Sequence, residues 1–318
     1  MLSKVFDSKL ALGSNVDIVL VAKNKEPAEK LINTLWRHIF EFEGRFSRFL
    51  PDSELSKFNK NAGLKTPLSR EFLEILKAAK KLSHATGGLY NPFILPALQR
   101  SGYIKSRAEG YQNDPVDDYT DRGIPSSDKL LLAKDSAEIP FNSAIDLGGI
   151  GKGYLADQLS EMVEKHDFIH GYFISLGGDM VLSGSDENSQ PWQVKVQSAN
   201  NSDDELDFVL TAPRHKIAVA TSGTLPRTGQ KQNKSKHIID PRTLKPAKTD
   251  IVLATVAAES ATLCDVAASC IVILGSTLAT NFAQEHNIDN YILQSKINNK
   301  VKVFAQGNLV HKQEVNYA

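Results

Sequence analysis

The chain is 318 residues long with 41% hydrophobic residues, and its 37 Lys and Arg balance 37 Asp and Glu. That length holds one large domain or two smaller ones around a substantial core, and the even charge excludes a global field drawing nucleic acid or an anionic membrane. No stretch approaches a membrane span, and no apolar run of signal-peptide length stands near the start; the expectation is a soluble protein, cytoplasmic as it stands or a processed periplasmic form.

Asn15 to Ala22 alternates as a strand, with Val16, Ile18 and Leu20 on one face. Pro27 opens a long helix that ends near Phe46 and carries Leu31, Ile32, Leu35, Trp36, Ile39 and Phe42 at helical spacing. In FSRFLPDSELSKFN (Phe46 to Asn59), Pro51-Asp52-Ser53 marks a turn and the cap of a short helix. A second long helix runs from Ser69 to about Ala85 and stops at Gly87-Gly88. Two prolines in the apolar run Leu89 to Leu98 argue against a regular central strand. From Gln99 to about Ser127 the chain turns polar, which reads as a long surface excursion.

The stretch AIDLGGIGKGYLADQL (Ala144 to Leu159) reads as strand, glycine turn, helix. Glycines permit positive φ and let a ligand approach bare backbone, while a helix N-terminus offers N–H groups to an anion. It is no Walker loop, because Asp146 lies where the first glycine belongs and Gly153 where the hydroxyl belongs; Gly149, Gly151 and Gly153 alternate, so GxGxxG fails as well. A tight turn between core elements is the simpler alternative. Beyond it, Tyr172 to Gly184 reads as two strands joined by a Gly177-Gly178 kink. Further strands are expected at 191–196, 206–210, 216–221 and 251–257, and closing strands near 291–293 and 301–304. Gly223 to Lys236 is basic and polar, a mobile loop by composition, and Asp240-Pro241-Arg242-Thr243 is a turn. Helices are expected over 259–275 and 277–286. No repeat and no linker separates independent domains, so the chain reads as a single domain over 1–318.

Cys264 and Cys270, six apart on one helix, face roughly opposite ways and read as buried thiols rather than a disulfide. On the same helix Asp265 and Ser269 stack a carboxylate and a hydroxyl on one face. Two hard oxygen ligands so placed suit Mg²⁺, which takes few protein groups and keeps waters or phosphates for the rest; a buried Asp hydrogen-bonding a Ser has the same spacing. His237, at a loop–strand boundary, has the chemistry of a proton acceptor, and equally that of a structural residue. No zinc spacing and no GxSxG elbow is present. The residues alone indicate an α/β protein holding a phosphorylated ligand near a glycine turn, without naming a reaction.

Seven motifs in order resemble the FAD:protein FMN transferase family, also called ApbE, over nearly the whole chain: Leu12-Gly13-Ser14, FSRFLPDSELSKFN, TGGLYNPFILPAL, IDLGGIGKGYLAD with SLGGDM, Thr221-Ser222-Gly223, HIIDPRT and SATLCDVAAS. The resemblance implies an α+β fold, with mixed, largely antiparallel sheets covered by helices and a flavin cleft between subdomains. It implies a Mg²⁺-dependent reaction in which FAD is split at its pyrophosphate. FMN is then esterified to a Thr or Ser hydroxyl of a client flavoprotein, and AMP leaves. By position, Asp265, Ser269 and the carbonyl of Gly149 match the metal ligands, and Asp146 and Lys152 match nucleotide contacts. Leu12, Phe49 and Leu89-Tyr90-Asn91 match the flavin pocket. His237 and Ile238 match the segment beside the reacting phosphate, with His237 as the acceptor's base.

Four positions depart from the family pattern: Ser269 for Thr, Phe49 for Tyr, Asn91 for Asp, and Leu244-Lys245 for Gly-Tyr, the last implying a locally different turn. An FAD pyrophosphatase and a non-catalytic FAD-binding protein are the alternatives; nucleic acid is not an expected partner.

Overall fold

The computed structural model describes residues 2–103, 123–200, 205–225, 237–298 and 300–312. In chain order the strands and helices are β1 (Ser3–Ala11), β2 (Ser14–Ala22), α1 (Lys25–Phe46), α2 (Glu54–Lys60), β3 (Thr66–Pro67), α3 (Arg70–Ala85), α4 (Leu95–Arg100), β4 (Leu131–Leu132) and β5 (Ser136–Glu138). They continue with α5 (Gly151–Glu164), β6 (Ile169–Leu176), β7 (Met180–Gly184), β8 (Gln193–Gln197), β9 (Glu205–Thr211), β10 (Ile217–Gly223), β11 (Ile239–Asp240) and β12 (Lys245–Pro246). The last are β13 (Ile251–Ala258), α6 (Ala261–Leu274), α7 (Ser276–Glu285), β14 (Asn290–Ile297), β15 (Lys300–Gln306) and β16 (Val310–Lys312). The chain forms two compact units, one of residues 1–39, 152–235 and 249–318, the other of 40–151 and 236–248.

The first unit is built on an eight-stranded sheet in the order β1-β2-β6-β7-β10-β13-β14-β15, every pair antiparallel. The alternation read in β2 places Val16, Ile18 and Leu20 fully inside, and Val19, Val21 and Ala22 are buried too, so this strand is covered on both faces. A second sheet, β16-β9-β8, contributes Val194, Val196 and Leu210 to a core with Leu182, Val219 and Ile292. Helix α6 lies against β10 and β13 and is apolar nearly all round, as its run of buried Cys264, Val266, Ala267, Ala268 and Ile271 requires. Both cysteines are buried thiols outside any disulfide, and burial pushes the Cys264 thiol well above its ordinary value.

The second unit is largely helical. Ser53 and Ser69 cap α2 and α3, each accepting from the N–H three residues on. Gly87 and Gly88 stop α3 with φ of 59° and 82°. The proline-containing apolar run is a 3₁₀ turn (Pro92–Ile94) leading into α4 rather than a loop, its prolines lying in the first turns where no N–H is needed. The α+β class with antiparallel sheets is the one expected.

Two expectations change. The lead-in to the glycine turn is not a strand. The amide and carbonyl of Ile145 bond to the Asn59 side chain and the Asp146 amide to the Pro92 carbonyl, so a side chain replaces the ladder. None of Gly148, Gly149, Gly151 and Gly153 takes positive φ; the bare backbone serves close approach instead, since a Cβ on Gly153 would lie 2.4 Å from the Ala261 carbonyl oxygen. In the turn after Arg242, Leu244 stands at φ 56° between β11 and β12. β1 and β16 are strands the periodicity did not give. On β1, Phe6 and Leu10 are 59% and 81% exposed, which breaks the alternation. Of the long excursion and the basic loop, 104–122 and 226–236 lie outside the described residues. No helix among the described residues is long and apolar enough to cross a membrane.

Candidate functional site

In the first unit the N-terminus of α5 gathers two groups of residues. Leu12 and Gly13 turn β1 into β2 with φ of 54° and 64°, half-burying Leu12 and presenting Ser14. The Lys152 ammonium donates to Ser14 Oγ at 3.0 Å. Gly177, at φ 72° between β6 and β7, has no room for a side chain: a Cβ would lie 2.3 Å from Ser14 Oγ and 2.9 Å from Lys152 Nζ. A cation, a hydroxyl and bare backbone at a helix start suit an anionic ligand.

One residue further, the Gly153 amide donates to Asp265 Oδ2 at 3.2 Å. Asp265 is only 6% exposed, and a buried carboxylate needs donors or a cation to offset its lost hydration. One turn along α6, Ser269 Oγ lies 2.8 Å from Ser222 Oγ on β10. A carboxylate with two hydroxyls is an all-oxygen donor set with one formal charge, which fits a hard divalent ion that keeps waters or phosphate oxygens in its shell.

The N-terminus of α6 is held by Asp157 of α5. Its carboxylate accepts from Ser260 Oγ (3.0 Å), the Ala261 amide (3.0 Å), the Thr262 amide (2.9 Å) and Thr262 Oγ1 (2.7 Å), and pairs with Lys216 at 2.9 Å. Burial would raise the Asp157 pKa, but the Lys216 and Thr262 bonds outweigh it and hold the carboxyl below its usual range.

In the second unit the organising group is Arg48. Its side chain, 6% exposed, pairs with the 7% exposed Asp146 at 3.0 Å and donates to the Tyr103 carbonyl at 3.2 Å. The guanidinium carbon sits 4.4 Å from the Phe49 ring centre and 4.6 Å from that of Tyr103, a cation between two aromatic faces. Asp146 Oδ2 also accepts from the Gly148 amide at 2.8 Å, which closes the glycine turn on itself. Tyr103 stands next to His237, ring centres 6.2 Å apart. Ile238 is buried, and its carbonyl accepts from Ala247. In the turn that follows, burial opposes ionisation of Asp240, but Arg242 pairs with it and draws its pKa below the usual carboxylate range.

Tyr90 is the nearest side chain to a Cβ built on Gly149, at 3.7 Å. Leu89 is half-buried just after the α3 stop. Asn91 is a structural group: Oδ1 caps the 3₁₀ turn by accepting from Phe93, and Nδ2 donates to the Pro125 carbonyl at 3.0 Å.

Of the residues singled out in the sequence, Leu12, Lys152, Asp265 and Ser269 belong to the first unit. Phe49, Leu89, Tyr90, Asn91, Asp146, Gly149, His237 and Ile238 belong to the second. Within the units the structure joins Asp265 to Ser269 through α6, and Phe49 and His237 through their common neighbour Tyr103. Sequence reasoning did not single out Arg48, Tyr103, Asp157 or Ser222. Arg48 stood in the aromatic run FSRF, where a lone cation among rings is a usable signal. Ser222 stood in a motif already noted, and Asp157 four residues after Gly153 on one helix face.

A profile of the ApbE family matches residues 12–292. The chain is 24% identical over 262 residues to a protein named FAD:protein FMN transferase from Haemophilus influenzae, covering 80% of this chain and 75% of that one. It is 24% identical over 308 residues to one of the same name from Klebsiella pneumoniae, covering 91% and 83%. Among solved structures, the flavin transferase ApbE from Vibrio cholerae superposes with a TM-score of 0.80 at 23% identity, covering 97% of this chain and 99% of that one. The Pseudomonas stutzeri flavinyl transferase ApbE in its apo form gives 0.80 at 18% identity, covering 96% and 95%.

Proposed function

The chain belongs to the ApbE family, and on that premise we propose that it is a Mg²⁺-dependent FAD:protein FMN transferase. In this reading the Oγ of a Thr or Ser on a client flavoprotein attacks the FMN phosphorus of FAD. The P–O bond to the AMP half breaks, AMP leaves, and the hydroxyl proton passes to His237. In the first unit Lys152 and Ser14 hold a pyrophosphate oxygen beside Gly177; in the second, Phe49, Leu89 and Tyr90 are the groups to line the ring pocket, and Ile238 aligns the backbone next to His237. Asp265 and Ser269 are the groups of the first unit to hold Mg²⁺. When bound, that ion neutralises charge on the transferring phosphoryl group. Asp146 is assigned through its pair with Arg48, which keeps the glycine turn closed for the nucleotide.

The observation that carries the reading is the Asp265 carboxylate, buried, one α6 turn from the Ser269–Ser222 hydroxyl pair and bonded to an amide in the first turn of α5. A storage protein needs neither this donor set nor a base. The test is incubation with FAD, Mg²⁺ and a flavoprotein fragment, followed by intact mass. A gain of one FMN on the fragment is expected. Free FMN and AMP without fragment labelling would make the protein a pyrophosphatase, and unchanged FAD would make it a binding protein.

A further inference from the structure

Helix α6 is fixed on the first unit at two places, and both bear on Asp265. At its N-terminus, Asp157 receives four donors: the Ser260 and Thr262 hydroxyls and the Ala261 and Thr262 amides, the last two being orphan N–H groups that a helix start must satisfy. Gly153 stands four residues before Asp157, on the same face of α5. There the Ala261 carbonyl comes so close that only glycine fits, and the next amide bond of contact is Gly153 N–H to Asp265. Ala261 and Asp265 are likewise four apart on α6. Two faces one turn long therefore meet: Asp157 and Gly153 on α5, the N-terminal turn and Asp265 on α6. The second tether is Ser269 to Ser222 near the far end of β10, the strand that Lys216 immediately precedes. Lys216 is also the cation that pairs with Asp157.

We propose that Asp157 is a positioning residue for the divalent-cation site: by tying the first turn of α6 to α5 and to Lys216, it sets where the Asp265 carboxylate and the Ser269 hydroxyl stand. The inference rests on the assignment of Asp265 and Ser269 as cation ligands. A helix start with its donors taken up elsewhere would shift along or rotate about its axis. A shift of a few tenths of an ångström at Ala261 is carried rigidly to Asp265 one turn on. Groups that orient metal ligands without touching the metal are typically worth about 10–100-fold in affinity.

The experiment is direct Mg²⁺ binding by calorimetry on the full chain without FAD or client, beside melting temperature and transfer rate as a function of Mg²⁺. Asp157→Asn keeps the shape and removes the charge and half of the acceptor capacity. Its Mg²⁺ affinity is expected to fall by about 10-fold or more, with transfer per folded molecule restored toward normal by excess Mg²⁺. Thr262→Val, which deletes one bond to Asp157 and leaves the carboxylate, is expected to shift Mg²⁺ affinity in the same direction by a smaller factor and guards against a variant that fails to fold. A lowered melting temperature with unchanged Mg²⁺ affinity in both variants would make Asp157 a helix cap only and overturn the proposal. Asp265→Ala separates the two levels: if it too bound Mg²⁺ as the unaltered chain does, the cation assignment itself would fall, and the proposal with it.

Discussion

Arg48 and Asp146 form a buried ion pair, 3.0 Å apart, with 6% and 7% of their side chains exposed. Each is also held by something else: Arg48 by two ring faces and the Tyr103 carbonyl, Asp146 by the Gly148 amide. Removing one partner of such a pair leaves a desolvated charge, which costs about 3–5 kcal/mol, while replacing both by apolar groups of similar size is far milder. Arg48→Met is therefore expected to lower stability by about that amount in urea unfolding, and Arg48→Met with Asp146→Leu to recover much of it. A single variant as stable as the unaltered chain would remove the pair from the stability of this unit.

The two glycines of the turn respond oppositely to a methyl group. A Cβ on Gly149 meets nothing nearer than Tyr90 at 3.7 Å, an ordinary contact, whereas on Gly153 it meets the Ala261 carbonyl at 2.4 Å. Gly149→Ala is expected to melt within a degree or two of the parent. Gly153→Ala must push α6 from α5, an overpacking cost of about 1–3 kcal/mol, and weaken Mg²⁺ binding. Similar melting temperatures for the two would contradict the close approach.

His237→Ala is expected to slow transfer by about 10²–10⁴, the usual contribution of a general base, with FAD affinity nearly unchanged. Affinity, melting temperature and transfer rate on one preparation decide it. Transfer per folded molecule that stayed normal would remove His237 from the mechanism.

Asp157 makes stability depend on pH in a defined direction. Its carboxyl is held below the ordinary value despite burial, chiefly by Lys216 and then by Thr262. A depressed carboxyl contributes stability that is fully present above the unfolded value of about 3.9 and is lost as pH falls through the lower folded value. The difference in melting temperature between the parent and Asp157→Asn is thus expected to be constant from pH 7 to about 5 and to shrink below about 4. A gap that widened in acid would reverse the sign and exclude this account.

At Leu244 the backbone stands at φ 56°, where a side chain costs roughly 1–2 kcal/mol, while the same side chain packs on Ala97, Leu98 and Ile239. The two effects oppose each other in Leu244→Gly, whose melting temperature is expected close to the parent's. Leu244→Val puts a β-branched carbon in the left-handed region, which it tolerates worse, and is expected to melt several degrees lower. Equal melting temperatures for Val and Leu would argue against the left-handed turn.

Long periodic segments were legible from sequence because their burial repeats with the period of the element: α1 and α3 follow their apolar spacing, while β2 and α6 are nearly continuous apolar runs because they are covered on both faces or nearly all round. What escaped was decided by partners far along the chain. Residues 144–147 carry strand-like composition, but Asn59, some 86 positions away, occupies the backbone groups of Ile145. Asn91 read as a lost charge at a ligand; only the structure places Pro125 on its amide, a bond that a carboxylate could not donate. At the site, the chemistry-bearing residues singled out stand in motifs. Arg48 and Asp157 were not singled out, since they act on Asp146 and on the start of α6 rather than belonging to a recognisable ligand pattern.

The order of strands in the large sheet also sets a timetable for synthesis. β2 pairs with β1 at once but also with β6, Ile18 opposite Ile174, a partner about 150 residues later in the chain. At 5–20 residues per second a ribosome takes roughly 10–30 s to deliver that partner. During that interval the nascent β1–β2 hairpin carries Val16, Ile18 and Leu20 without the β6 strand beside them, while residues 40–151 emerge with a core of their own. Residues 40–151 are therefore free to begin folding while the N-terminal hairpin waits, with 236–248 joining that unit later, and β2 gains its second partner only when β6 has left the exit tunnel. Holdase chaperones that bind apolar strands have their window on this protein there, at β1 and β2 before β6 is made.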